Sequence, residues 1–302
     1  MLGGIPEKNR MNKFIENIDK QIEFNQGINI ILDEPELFKF IDDTINTISS
    51  IDNLNTDAEN FLIDYATDKV LEEFCRINQY YSFNSESKKA LRCVYSNLFY
   101  AIRCKKESID EISKNHYLRL KKWLIKYNSF AEKIYSNADL RVQPVVCSEY
   151  SYNLQIDIFR IDVERLISPV LDIGCGKQGN LVNYLKSKEI EVYGIDRYKF
   201  DSDILQTFDW LEYDYGIEKW GTIISNLGFS NHFHNHNLRQ DGNYIEYGKT
   251  FMNILNSLKV GGCFHYAPDL PFIEIYLDEN KYEITKYEIS GLDFKATTIT
   301  KL

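Results

Sequence analysis

The residues with the most evident chemistry lie in one short stretch past the middle of the chain. Pro169-Val170-Leu171-Asp172-Ile173 is apolar but for one acid; Gly174-Cys175-Gly176-Lys177-Gln178-Gly179 follows, and Asn180-Leu181-Val182-Asn183-Tyr184-Leu185 has helical spacing. Glycine is required where a chain turns sharply and where a ligand must approach the backbone with no Cβ in the way. Twenty residues after Gly176, Asp196 closes a second apolar run, Ile190-Glu191-Val192-Tyr193-Gly194-Ile195. A carboxylate there can accept hydrogen bonds from both hydroxyls of a ribose. Strand, glycine turn, helix, strand and terminal acid together read as a site for a nucleoside-bearing cofactor.

Charge separates the two cofactors that suit such a turn. A dinucleotide presents its pyrophosphate to the N-terminus of the helix, whereas S-adenosylmethionine presents an ammonium and a sulfonium. Asp172 stands two residues ahead of the first glycine. Its negative charge there opposes a pyrophosphate and can orient an ammonium, directly or through water. S-adenosylmethionine is therefore favoured, with a nicotinamide-dependent oxidoreductase as the weaker reading.

On these residues the sequence resembles the class I S-adenosylmethionine-dependent methyltransferases. VLDIGCGKQGNLVNYL is similar to their first motif, with its acid-x-Gly-x-Gly core, and EVYGID to their second strand with its ribose-binding acid. The resemblance implies cofactor contacts from Asp172, Gly174, Cys175, Gly176 and Asp196, with Arg197 beside the adenine edge. It further implies Asp214 and Tyr215 after the third strand, with Asp209 as the substitute acid. Asn226 would end the Trp220 to Asn226 strand that lines the methyl-transfer site. Leu255 to Phe264 resembles the turn from a helix into the fifth strand, with Val260 where proline is usual. The implied fold is α/β, a Rossmann-like seven-stranded methyltransferase sheet in the order 3-2-1-4-5-7-6, its seventh strand antiparallel, over residues 169–302. Two departures stand out: Gly179 comes one residue later than the commonest pattern, and only 17 residues separate Asp196 from Asp214. The helix between the second and third strands is thus expected to be short or missing.

Four of the five histidines fall within 34 residues: His232, His234 and His236 after the fourth strand, and His265 at the end of the fifth. This places them at the carboxyl edge of the sheet, where open α/β folds bind ligands, and they are expected to converge there. With an unperturbed pKa near 6.5, His232 or His234 could act as a general base on a hydroxyl or amine acceptor. Two other readings remain. The alternating His-x-His-x-His could bind zinc, but no acidic ligand is interleaved and no metal is assigned. Alternatively, the histidines could be satisfied loop residues that cap the helix from Asn243 to Leu258. Ahead of the first strand, Val145 to Tyr152 could fold over the cofactor with Glu149 or Tyr150 reaching it, an aromatic ring face suiting a sulfonium; equally, it could be a linker whose aromatics pack against the sheet.

Upstream the pattern changes. From Lys8 to Ala138 apolar residues recur every three or four positions with few glycines, and five helices fit, with Thr56 and Ser85 at expected N-cap positions. The division expected is a helical substrate-covering or interaction domain over residues 1–145, a linker and lid segment over 146–168, and a cofactor-binding domain over 169–302. Arg103 to Lys133 holds nine basic residues against four acidic ones around Leu118, Leu120, Trp123 and Leu124. A solvated face over a packed stripe is preferred there to a docking surface.

The whole chain, 302 residues with 35 basic and 45 acidic side chains, carries a net charge of -10. That argues against bulk nucleic acid and anionic membrane surfaces as partners. No apolar run approaches the roughly 20 residues of a membrane span, and the start has no uninterrupted apolar core of a secretory leader. The expected location is the cytoplasm. Six scattered cysteines without a CxxC pair read as reduced thiols. The expectation is a two-domain enzyme moving a methyl group from S-adenosylmethionine to a small-molecule hydroxyl or amine, with the helical domain covering the carboxyl edge of the sheet. The alternative is a protein that kept the fold and binds cofactor or partner without turnover.

Overall fold

The change of hydrophobic period near the middle of the chain corresponds to a change of architecture. The computed structural model describes residues 4–50, 56–143, 150–291 and 293–302, and the chain divides into two units, Met1–Cys147 and Ser148–Leu302. Cys147 and Glu149 lie outside the described residues.

The first unit is helical: α1 (Gly4–Phe24), α2 (Asp42–Ser49), α3 (Thr56–Ile77), α4 (Ser85–Cys104), α5 (Ile109–Tyr127) and α6 (Phe130–Tyr135). The description thus has one helix more than the five expected. The additional one is a short turn that buries Phe130, Ala131 and Tyr135. The cap of α4 lies one residue earlier than expected, because the side chain of Asn84 accepts from Ser87 N at 2.9 Å and Ser85 is already helical. A reciprocal capping box starts α5, with Glu111 N donating to Ser108 Oγ and Ser108 N to Glu111 Oε2. The buried stripe of α5 is Ile112, His116, Leu120, Trp123 and Leu124. Leu118, two residues from both His116 and Leu120, falls off this face and is 43% exposed. Basic residues of the same region pair across helices, Arg103 with Glu59 at 2.9 Å and Lys126 with Glu86 at 3.7 Å, as on a solvated face.

The second unit is the α/β sheet. Its strands are β1 (Val170–Ile173), β2 (Val192–Asp196), β3 (Leu205–Thr207), β4 (Trp220–Asn226), β5 (Leu258–Ala267), β6 (Tyr282–Glu288) and β7 (Lys295–Lys301). They are ordered β3-β2-β1-β4-β5-β7-β6, and β7 runs antiparallel to both its neighbours. Every residue of β1 and β4 is buried, as expected of central parallel strands covered on both faces. No helix lies between β2 and β3 among the described residues. The helices are α7 (Tyr152–Phe159), α8 (Asn180–Ser187), α9 (Phe229–Leu238), α10 (Tyr244–Ser257) and α11 (Pro271–Glu274).

Successive strand residues alternate between two cores. Ile223 packs with Phe229, Tyr247 and Phe251 of α9 and α10, whereas Ile224 packs with Phe159 of α7 and Leu181, Val182 and Leu185 of α8. Within the stretch expected as linker and lid, α7 lies against α8 through Tyr152, whose ring stacks on Tyr184 with centroids 4.0 Å apart.

Candidate functional site

The strand order reverses between β1 and β4, and open α/β sheets bind ligands at the carboxyl ends of the strands at such a switch point. The glycine turn leaves β1 at this position. Gly174 and Gly176 have φ of +80° and +74°, a region that side-chain-bearing residues rarely adopt. A Cβ on Gly174 would also stand 3.3 Å from the Trp210 ring and 3.5 Å from Gly228 Cα. The turn is therefore closed by backbone from one side and by an indole from the other.

Strand parity puts Asp172, Asp196 and Asn226 on the same face of the sheet, the one covered by α7 and α8. Asp196 accepts from Gly176 N at 2.9 Å and from Arg197 N at 2.7 Å, which ties the end of β2 to the glycine turn. Burial raises its pKa, while the Arg197 charge and the backbone N–H groups work in the other direction. Asp172 is different. It is 1% exposed, and its Oδ2 has no hydrogen-bond partner among the described residues. Burial, and next the charge of Asp196, push its pKa up to about 7. Asn226, two residues past Ile224, which is the β4 partner of Asp172, is also buried, and neither atom of its amide has a partner among the described residues. Unpartnered buried polar atoms are rare in native proteins, and a ligand is one of the few things that accounts for them.

The next turn is strained. Leu227 has a φ of +53°, costly for a residue with a branched side chain and characteristic of functional sites. Leu227 N donates to Ala267 O at 2.9 Å. Ser225 Oγ donates to Ile173 O and accepts from Phe229 N, at 2.9 and 3.0 Å. The ends of β1, β4 and β5 are thereby locked together beneath the start of α9.

Several expected positions fall elsewhere. Asp214 is exposed, its carboxylate accepting from Gly216 N in a tight turn, and Tyr215 is buried with its hydroxyl donating to Trp210 O. β3 ends at Thr207, seven residues before Asp214. Asp209, the substitute acid, lies two residues past that strand. Its Oδ1 accepts from Leu211 N at 2.9 Å, and burial raises its pKa to about 6. Cys175 is buried in the core with Leu181 and Val182. Tyr150 is half-buried, and its carbonyl accepts from Gln155 Nε2 and from Asn180 Nδ2 at the start of α8. Arg197 is exposed overall, and its charge acts on Asp196, Asp209 and His232.

The histidines do not converge. His232, His234 and His236 sit on α9 rather than on a loop, and positions two apart on a helix are roughly 200° apart around its axis. His232 and His236 are buried; His234 is half-buried on the other side, against Phe272. His236 Nδ1 accepts from Asn243 N at 3.0 Å and so caps α10, and its ring stacks on Tyr247. His265 lies two residues inside β5, paired with Ile224, near Phe159 and bonded to Thr298 Oγ1 at 2.9 Å. Only His232 adjoins the glycine turn, through Trp210, whose ring meets it edge-on with centroids 4.9 Å apart. Burial, then the charges of Arg197 and His236, hold the His232 pKa well below its ordinary value. Trp210 itself was not singled out from the sequence. Its only signal was an aromatic residue next to Asp209, shortly after a β-type run.

The strand order, with an acid-bearing glycine turn at the switch point, gives the second unit the class I methyltransferase fold. Among solved structures, a TehB-like SAM-dependent methyltransferase from Corynebacterium glutamicum is similar over 60% of this chain and 97% of its own, at 16% identity and a TM-score of 0.35. An rRNA methylase from Streptococcus thermophilus covers 52% of this chain and 99% of its own, at 16% identity and a TM-score of 0.36. The N-methyltransferase NodS from Bradyrhizobium japonicum, in complex with S-adenosyl-L-homocysteine, covers 49% and 83%, at 13% identity and a TM-score of 0.35. No family model matches the sequence, and no curated protein matches it. The fold assignment rests on the strand order itself.

Proposed function

We propose that the second unit is an S-adenosylmethionine-dependent methyltransferase acting on a hydroxyl or amine of a small acceptor. One observation carries this reading: a fully buried carboxylate, Asp172, has an oxygen without a partner beside a glycine turn at the switch point. A cation supplied by a ligand would restore the balance that burial and the neighbouring Asp196 upset. The ammonium of the cofactor is such a cation, and the amide of Asn226 offers a donor and an acceptor to the same end of the molecule. Asp196 has lone pairs left for ribose hydroxyls, and the Trp210 face suits a sulfonium.

When bound, S-adenosylmethionine supplies an electrophilic methyl group. The chain's own part is to position and to exclude water: the Trp210, Phe229 and His232 rings close the site on the α9 side. His232 is the base in this reading, in preference to His234. Its low pKa keeps the imidazole neutral at pH 7, able to accept a hydrogen bond and then a proton from the acceptor group. Positioning of acceptor and methyl carbon in line would supply most of the remaining acceleration.

Calorimetry of the full chain with S-adenosylmethionine and with its demethylated product tests the reading. Saturable heat is expected, and Asp196→Ala should weaken binding at least roughly tenfold, equivalent to one good charge-assisted hydrogen bond. No heat at millimolar cofactor would sink the proposal. Binding without product from any acceptor would reassign the unit as a cofactor-binding protein.

A further inference from the structure

The helical unit encloses a cavity of about 90 Å3 that the proposed methyl transfer leaves without a role. That is about six times the ~15 Å3 one water requires, enough for a small organic molecule. Its wall is mostly hydrocarbon, including Ile18, Ile48, Ala66, Leu98 and Leu120. Half-buried Ile22 of α1, Asn25 just after it and Glu73 of α3 also line it, so the cavity reaches the surface there.

One polar group in the wall stands apart. His116 of α5 is 2% exposed, and neither of its ring nitrogens has a hydrogen-bond partner among the described residues. The rings of Phe38, Phe40 and Tyr95 surround it, with centroids at 5.6, 5.9 and 5.1 Å. Gln21, Asn25, Thr44 and Glu73 of the wall are engaged. Gln21 and Asn25 bind the backbone of Lys39 and Ile41, Thr44 binds Asn17 O, and Glu73 binds Arg76. A neutral imidazole carries one N–H donor and one acceptor. To bury both unused beside an open apolar space is unfavourable unless something enters that space and uses them.

We propose that this cavity binds a small, uncharged, mainly apolar molecule carrying one hydroxyl, of the size and chemistry of a phenol, whose hydroxyl hydrogen-bonds the His116 ring. Burial pushes the pKa of His116 down to about 3. The ring is therefore neutral at ordinary pH, and an anion finds no counter-charge from it. The site lies wholly within the helical unit, and the proposal stands whether or not the second unit transfers methyl groups.

The test uses the full chain, labelled with 15N at histidine and titrated with phenol and with toluene, which matches phenol in shape but lacks the hydroxyl. Phenol is expected to saturate below ~10 mM, to bind roughly threefold to tenfold more tightly than toluene, and to shift the His116 ring nitrogens, identified by their loss in His116→Leu. The preference for phenol should vanish in His116→Leu. Ala66→Leu, which fills the cavity, should weaken phenol at least roughly tenfold. Equal affinities for phenol and toluene, no saturable binding of phenol, or ring signals that phenol does not move, as when ordered water already occupies the space, would each overturn the proposal. Should Ala66→Leu fail to fold, the wild-type ring shifts and the two affinities decide.

Discussion

Asp172 in the sheet unit and His116 in the helical unit are both buried ionisable groups with unpartnered polar atoms among the described residues, and the same burial acts on them with opposite results. An acid resists losing its proton in an apolar setting; a base resists gaining one. Asp172 is raised to about 7, so it sits at the threshold of ionisation and a cation can tip it. His116 is lowered to about 3 and stays neutral. One site is poised to meet charge, the other to refuse it. The lesson is that an unpartnered buried group reports what class of ligand suits it once the direction of its pKa shift is known.

Removing the charge at Asp172 should have the largest effect. Asp172→Asn keeps the shape but removes the partner for an ammonium, and S-adenosylmethionine affinity should fall roughly a hundredfold, as for a buried charged hydrogen bond. At pH 8 the same variant should be about 1–3 kcal/mol more stable in denaturant melts, since a desolvated carboxylate no longer has to be held there. A variant that binds as wild type would remove Asp172 from the contrast.

The next comparison is within α9. If His232 is the base, His232→Gln should lower kcat roughly a hundredfold, whereas His234→Gln, on the far side of the helix against Phe272, should change it less than about twofold. Equal losses would mean that the helix face does not decide the role.

The smallest and most diagnostic effect is on pH dependence. Between its ordinary value of 3.8 and about 7, folded Asp172 holds a proton that the unfolded chain has released, so without cofactor its contribution to stability falls as pH rises through that window. Cofactor binding by the ionised form should then strengthen with pH, approaching tenfold per unit well below pH 7, and level off above it. His116 acts in reverse: the unfolded chain takes up a proton near 6.5 and the folded one only near 3, so stability is lost as pH falls through that range. Stability curves of wild type and Asp172→Asn should diverge above about pH 4 and share the acid limb. Superimposable curves would break the contrast.

Much of the second unit was legible because its signals are local. Val170–Ile173 and Trp220–Asn226 are apolar runs bounded by turn residues, and both form strands. The 17 residues between Asp196 and Asp214 implied a short or missing helix, and none is described between β2 and β3. The histidines misled because alternate spacing in a polar stretch reads as a loop, where neighbours can converge; helical geometry instead sends His234 away from His232 and His236. Motif order counted along the chain expected the third strand to end close to Asp214, whereas β3 ends at Thr207, two residues before Asp209. In the helical unit, periodicity revealed the stripe of α5 but not that Leu118 lies outside it.

The sequence by itself determined where the chain turns, which segments pair or coil, and that an acid precedes the first glycine. These follow from steric and hydrophobic rules that act over a few residues. Only the tertiary structure decided that Asp172 Oδ2 and the Asn226 amide lack partners, that Trp210 closes over Gly174, and that His116 faces a cavity. Burial and electrostatic environment are sums over neighbours distant in the chain, so no local pattern encodes them.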